Sequence, residues 1–309
     1  MSNLDNVLAL FPGQGSQSVG MGKDLFENFE TAKQMFAEAD EALGFSLSKL
    51  CFEGPEDALK LTENTQPAIL TVSSIAYRIA KEELGSKLNA VAAAGHSLGE
   101  YSALVAAGSL SFKDAVLLVH RRGKYMQEAV PAGKGKMLAV LKKEEAEIQA
   151  AISKVQNGVI QIANINSPGQ IVVAGDVPGV AAFTIALGDA KTVELEVSAP
   201  FHCSLMKSAE EKLALDLDVT NFTDCNFPVY ANFSAEPVFS GEDAKELLKK
   251  QVCGTVRWVE SIQNIIQEKT PTLAIEFGSG KVLAGLLKRI DRNLNCKPMG
   301  TKAELENLN

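Results

Sequence analysis

Hydrophobic and polar positions alternate in blocks whose spacing predicts a mixed α/β chain. An apolar run, Val7 to Phe11, passes into a glycine-rich loop, Pro12 to Gly22, and then into polar helical sequence from Asp24 onward. Pro67 to Leu84 carries apolar residues at helical spacing, Ala90 to Ala94 is a short apolar run, and Leu98 to Gly108 is small and helix-compatible. A strand, a sharp turn and a helix are therefore expected around residues 90–108. Helical spacing returns over Phe112 to Met126.

The pattern then changes. Lys136 to Leu141 reads as a strand, Lys143 to Val155 as a helix, and Val159 to Asn166 as a second strand. Ser167-Pro168-Gly169 supplies a turn, followed by a strand from Gln170 to Ala174, a helix from Pro178 to Leu187 and a strand from Thr192 to Val197. This β-α-β-β-α-β series is the order of a ferredoxin-like unit. We expect an inserted subdomain at 128–198, with the α/β core formed by 1–127 and 199–309. In the remainder, a strand near Pro228 to Asn232 precedes helices near Asp243 to Val252 and Trp258 to Glu268. An apolar strand, Leu273 to Phe277, follows, and Gly278-Ser279-Gly280 opens a final helix. Only the polar C-terminal end is expected to fray.

Composition narrows the function classes. The chain has 309 residues, 46% of them hydrophobic, enough for a sizeable buried core. Its five cysteines are scattered without a Cys-x-x-Cys pair, which fits a reducing cytoplasm better than a disulfide framework or a zinc site. Met1 to Phe11 carries Asp5 and no basic leader, and no apolar stretch reaches membrane-spanning length, so neither a signal peptide nor a membrane partner is expected. A net charge of −8 argues against general nucleic-acid binding.

Three glycine-rich places fail as nucleotide sites. Gly13-Gln14-Gly15 is followed by Ser18 where close helix packing needs a glycine or alanine. Gly280-Lys281 has Ile275 where the first phosphate-loop glycine belongs and Val282 where the hydroxyl belongs, and Gly135-Lys136 is followed by Met137. Gly95-His96-Ser97-Leu98-Gly99, by contrast, matches Gly-x-Ser-x-Gly between a strand and a small-residue helix, the context in which that motif lifts a serine hydroxyl above a sheet.

A serine hydroxyl needs a base, and the chain has three histidines. His96 is bound into the turn, and His120 lies in a helical stretch where a structural or surface role is the simpler reading. His202, in the loop Ser198 to Ser204, follows the serine in chain order and is the expected base. No carboxylate is singled out as a third member among Asp176, Glu194 and Glu196. A backbone or side-chain carbonyl would fix the histidine tautomer equally well.

Phe11-Pro12-Gly13-Gln14-Gly15-Ser16-Gln17 and the run GHSLGEY over Gly95 to Tyr101 together resemble the malonyl-coenzyme A:acyl carrier protein transacylase family. The resemblance continues through Arg121-Arg122-Gly123, Asn164-Ile165-Asn166-Ser167-Pro168, Ala199-Pro200-Phe201-His202, and Gln251 with Val256-Arg257-Trp258. It implies a hydrolase-like parallel-sheet core with a ferredoxin-like insertion and a Ser97 acyl-enzyme. It further implies His202 as general base and then acid, oriented by the backbone carbonyl of Gln251, and backbone amides of Gln14 and Leu98 as the oxyanion hole. Arg122 is implied as the clamp on the malonyl carboxylate, a task suited to a guanidinium fork, while Arg121 is read as solvated helix surface. Phe201 resembles the malonyl-selecting version of its loop. The implied substrates are malonyl-CoA and phosphopantetheinylated acyl carrier protein, with no metal or redox cofactor, in a monomer serving fatty acid biosynthesis. Lys124, Lys134, Lys136, Lys281, Lys288 and Arg289 are candidates for contact with the acidic carrier. A serine esterase or thioesterase, another acyl donor, and service to polyketide synthesis are the alternatives.

Overall fold

A computed structural model describes residues 4–131 and 133–308. Among the described residues, ten strands form two sheets. β1 (Val7–Phe11), β2 (Ala90–Gly95), β7 (Val229–Tyr230), β8 (Pro237–Val238), β9 (Leu273–Phe277) and β10 (Cys296–Met299) make a six-stranded sheet in the order β10-β9-β1-β2-β7-β8. All its pairings are parallel except β7 with β8. β3 (Gly135–Leu141), β4 (Ile160–Ser167), β5 (Gln170–Asp176) and β6 (Lys191–Glu194) make an antiparallel sheet in the order β4-β5-β3-β6. With helices Glu145–Ile152 and Val177–Leu187 between its strands, this is the ferredoxin-like arrangement. The fold is α/β, a hydrolase-like parallel core with a ferredoxin-like subdomain inserted in the chain.

The unbroken apolar run of β1 has a physical reason: the strand is buried on both faces. Val7, Ala9 and Phe11 pack toward helices Glu30–Leu43, Thr62–Leu84 and Phe112–Glu128. Leu8 and Leu10 pack on the opposite face with Trp258, Ile262 and Ile265 of helix Trp258–Lys269 and Leu283 and Leu287 of helix Val282–Ile290. In the smaller sheet, Leu138, Val140, Ile160, Ile162, Ile171 and Val173 face Ile148 and Phe183 from its two helices.

Several expectations need correction. Helix Thr62–Leu84 starts five residues before the expected proline boundary. Pro67 has no N–H to give the carbonyl four residues back, and that carbonyl, Glu63 O, instead accepts from His120 Nδ1 at 2.9 Å. The side chain replaces the missing backbone donor, so the proline does not end the helix. The helix after Gly280 is not the last element: β10 and helix Lys302–Glu306 follow it. β10 is short and carries Lys297 and Pro298, which hid it from an apolar pattern search. Through Leu308 the C-terminal end is held in place: Thr301 caps its helix, Lys302 N donates to Asp24 Oδ1 at 2.6 Å, and Leu308 is only 1% exposed, while Asn309 lies outside the described residues. Helix Lys207–Val219 was not anticipated. Among the described residues no helix is long and apolar enough to cross a membrane.

Candidate active site

The turn after β2 is built by close approaches that only glycine allows. A Cβ on Gly95 would lie 1.9 Å from the Gly99 carbonyl group, and one on Gly99 would lie 2.2 Å from Phe11 O. Between them Ser97 takes a left-handed backbone conformation, φ +53°, an unfavourable state for a side-chain-bearing residue that the surroundings must hold. They do so on both sides. Ser97 N donates to Asn232 Oδ1 at 2.7 Å, and Gln251 Nε2 donates to Ser97 O at 2.9 Å. His96 N, one residue earlier, donates to Phe11 O at 3.0 Å. The hydroxyl is thereby presented at the end of the sheet, where helix Gly99–Ala106 begins.

His202 is brought to that hydroxyl from a loop 105 residues away, with Nε2 2.7 Å from Ser97 Oγ. It too has a positive φ, +58°, and is 4% exposed. Its Nδ1 lies 2.9 Å from Gln251 O. A carbonyl only accepts, so Nδ1 carries the proton and Nε2 is free to accept from Ser97. Burial, and then the Arg122 charge, push the imidazole down to about 3, while the Gln251 carbonyl opposes them. The ring is thus a neutral base at physiological pH. None of Asp176, Glu194 or Glu196 orients it: Asp176 caps helix Val177–Leu187, and Glu194 pairs with Lys136.

Arg122 is 1% exposed on helix Phe112–Glu128 and is aimed by two side-chain carbonyls. Its guanidinium donates to Gln66 Oε1 at 2.8 Å, to Gln251 Oε1 at 2.9 Å and to Ser97 Oγ at 3.2 Å, and lies 5.8 Å from the Tyr101 ring centroid. Its buried Nε has no partner among the described residues. Burial lowers the guanidinium pKa, but the group remains a cation. Arg121 points outward to Asp216, 2.6 Å away.

Gln14 sits half-buried in the turn after β1, and the loop lies against the serine turn so tightly that a Cβ on Gly13 would meet His96 O at 2.4 Å. Among the described residues the amides of Gln14 and Leu98 have no acceptor, whereas the Ser97 amide is committed to Asn232. Phe201 is buried beside His202 in sequence. A cavity of about 940 Å³ lined by Thr31, Tyr77, Arg78 and Phe112 contains none of these groups.

Sequence reasoning missed three participants. Asn232 and Glu100 are buried in the network under the serine, and Gln66 holds Arg122. Glu100 gave one signal, a charged residue inside an otherwise small and apolar helix. His96 turns away from Ser97 Oγ to bond Asn166 Oδ1 of β4 at 2.8 Å, tying the turn to the second sheet.

A serine activated by a neutral histidine, beside unpaired amides and a buried arginine, suits attack on an acyl group that carries negative charge. The acyl transferase domain family matches the chain over residues 9–295. The malonyl CoA-acyl carrier protein transacylase of Bacillus subtilis is 48% identical over 296 residues, covering 94% of this chain and 92% of that protein. A crystal structure of an acyl carrier protein S-malonyltransferase from Vibrio cholerae is 40% identical and superposes with a TM-score of 0.94, covering 99% of this chain and 100% of the other. A malonyl-transacylase solved in complex with its type II polyketide synthase acyl-carrier protein is 41% identical, with a TM-score of 0.93 and 98% of each chain covered. By sequence over nearly its whole length, and by fold, the chain belongs to the malonyl CoA-acyl carrier protein transacylase family of acyl transferases.

Proposed function

We propose that this enzyme moves a malonyl group from malonyl-CoA to the phosphopantetheine thiol of acyl carrier protein through an ester on Ser97, supplying malonyl-carrier for fatty acid biosynthesis. The observation that carries this reading is the pair of groups on one hydroxyl: His202 Nε2 at 2.7 Å and the Arg122 guanidinium at 3.2 Å from Ser97 Oγ.

In the first half-reaction Ser97 gives its proton to His202 Nε2 as Oγ attacks the thioester carbonyl. The oxyanion that forms accepts hydrogen bonds from the Leu98 and Gln14 amides, donors fixed before the charge appears. Collapse breaks the C–S bond, and the leaving coenzyme A sulfur takes the proton from His202. Arg122 meanwhile holds the malonyl carboxylate through parallel hydrogen bonds, kept in aim by Gln66 and Gln251. In the second half-reaction the carrier thiol gives its proton to His202, its sulfur attacks the ester, and Ser97 Oγ recovers the proton as it leaves. Acyl transfer of this kind balances without a metal or redox cofactor.

We assign the core to 1–127 and 199–309 and the subdomain to 128–198, with transient carrier docking on a monomeric cytoplasmic enzyme. Of the cations considered for docking, Lys136 is paired with Glu194 and Arg289 with Gln170 Oε1, so Lys124, Lys134, Lys281 and Lys288 are the better choices. The test is intact-protein mass after mixing with malonyl-CoA, with Ser97→Ala and acetyl-CoA as controls. A malonyl adduct on the parent alone, discharged by acyl carrier protein to malonyl-carrier, supports the reading. An intact thioester without adduct overturns it, and release of free malonate points to a thioesterase.

A further inference from the structure

Gln251 serves the site three times. Its backbone carbonyl orients His202, its Oε1 receives Arg122, and its Nε2 donates to Ser97 O. The last two depend on which way the terminal amide is turned. The two ends of an amide are nearly isosteric, so packing alone does not choose between them. A flipped Gln251 would set its NH₂ group against the Arg122 guanidinium and its oxygen against the Ser97 carbonyl, losing both bonds.

Two further acceptors on Gln251 Nε2, Asn232 Oδ1 at 3.3 Å and the nearer Glu100 carboxylate, reinforce the observed orientation. Glu100, three residues after the nucleophile and 2% exposed, places Oε2 2.8 Å from Gln251 Nε2 and 2.9 Å from Asn232 N. Its carboxylate oxygen therefore requires a donor from Gln251 and fixes the backbone of Asn232. The Asn232 side chain in turn bonds Ser97 N at 2.7 Å and Gly95 O at 2.7 Å.

We propose that Glu100 is a positioning residue for acyl transfer: by accepting simultaneously from Gln251 and Asn232 it sets the Gln251 amide so that Arg122 is aimed at the acyl site, and it braces the serine turn through Asn232. What matters is the position of one acceptor oxygen rather than the negative charge. Burial pushes the Glu100 carboxyl up to about 7, with its hydrogen bonds and the Arg122 charge pulling the other way. Both protonation states are thus populated near neutral pH. When the carboxyl is protonated on Oε1, Oε2 keeps its lone pairs for the same two donors.

This inference rests on the reading of Ser97 and Arg122 given above and is tested with two variants of opposite logic. Glu100→Gln keeps the length and one acceptor oxygen but removes the charge. Glu100→Asp keeps the charge but draws the oxygens back by about 1.5 Å. Active sites are counted by reaction with a serine-directed fluorophosphonate, and kcat/KM per counted site is measured for malonyl-CoA and acetyl-CoA with acyl carrier protein as acceptor. Glu100→Gln is expected within about threefold of the parent, and Glu100→Asp roughly 10²-fold lower for malonyl transfer, since misplacement by about an ångström costs that much. The malonyl-over-acetyl preference is expected to fall in Glu100→Asp alone. Parental per-site constants and preference in Glu100→Asp, or a Glu100→Gln variant as impaired as Glu100→Asp, would overturn the proposal. A merely structural role lowers the number of counted sites without changing constants per site. If Glu100→Asp does not fold, Glu100→Gln still decides, because a loss beyond about tenfold in that variant contradicts an acceptor-only role. Failure of the parent to form a malonyl adduct would instead sink the functional reading, independently of the variants.

Discussion

The two sheets of this protein are stabilised in opposite ways. The antiparallel sheet encloses a core of aliphatic and aromatic side chains around Ile148 and Phe183, where volume is what matters. The end of the parallel sheet that carries Ser97 buries Arg122, Glu100, His202, Asn232 and Gln251 together, and its backbone turns approach one another more closely than a methyl group permits. An apolar core tolerates small losses of volume, each at a graded cost. A buried polar network with glycine contacts does not, because every partner left unpaired incurs a desolvation penalty.

The largest expected effect breaks that network at its backbone. Gly95→Ala would force a methyl group into the Gly99 carbonyl at 1.9 Å, and backbone cannot step aside as a flexible side chain can. We expect a loss of more than about 4 kcal/mol, read as loss of soluble folded protein or a collapse of Tm. His202→Ala comes next, slowing malonyl-adduct formation by roughly 10²–10⁴-fold, measured by quenched-flow mass spectrometry. In the parent, the same measurement across pH 5 to 8 should show no loss of acylation centred on 6.5, the ordinary histidine value, because the folded ring protonates only near 3. The sign for stability is opposite to that of a salt-bridged histidine. As pH falls below 6.5 the unfolded chain gains a proton that the folded ring refuses, so this residue makes the protein less stable toward acid.

Arg122→Ala is the third case. It removes the carboxylate partner and a buried cation at once, so malonyl transfer should fall about 10²-fold while acetyl transfer is spared or improved. Equal losses with the two donors would show that the guanidinium does not read the acyl carboxylate. The smallest effect belongs to the other sheet. Ile148→Val should cost about 0.5–1.5 kcal/mol in urea unfolding and leave acylation untouched. A large kinetic effect there would mean that the two regions are coupled more tightly than through contacts such as His96 with Asn166.

The same contrast explains what could be read from the chain. The β-α-β-β-α-β order was legible because each element of the smaller sheet has its own apolar period. Ser97 and His202 were legible because a glycine-flanked serine and a scarcity of histidines narrow the choice. Gln14, Leu98 and Gln251 came from resemblance, since a backbone amide or carbonyl leaves no trace in side-chain pattern, and so did Arg122, since spacing alone does not tell it from its neighbour Arg121. Asn232 and Gln66 could not be reached by spacing at all, and Glu100 gave only the signal of a charge in an apolar helix. Asn232 lies 135 residues from the serine whose amide it binds, and only the fold brings the two together. The early start of helix Thr62–Leu84 was hidden for a related reason: the donor that compensates Pro67 comes from a different helix.

That compensation has a geometric consequence. Pro67 leaves one carbonyl, Glu63 O, open on the side of its helix, and His120 fills it from helix Phe112–Glu128. Three residues further, Gly123 lies so close to Thr62 that a Cβ would come within 2.5 Å of its carbonyl oxygen. Peg and notch together index one helix against the other, since sliding by a turn, about 5.4 Å, would empty the notch and jam a side chain where Gly123 now fits. Arg122 stands between the two marks. The proline thus acts as a ruler for the arginine, setting its height above the serine from the same helix whose Gln66 holds the guanidinium.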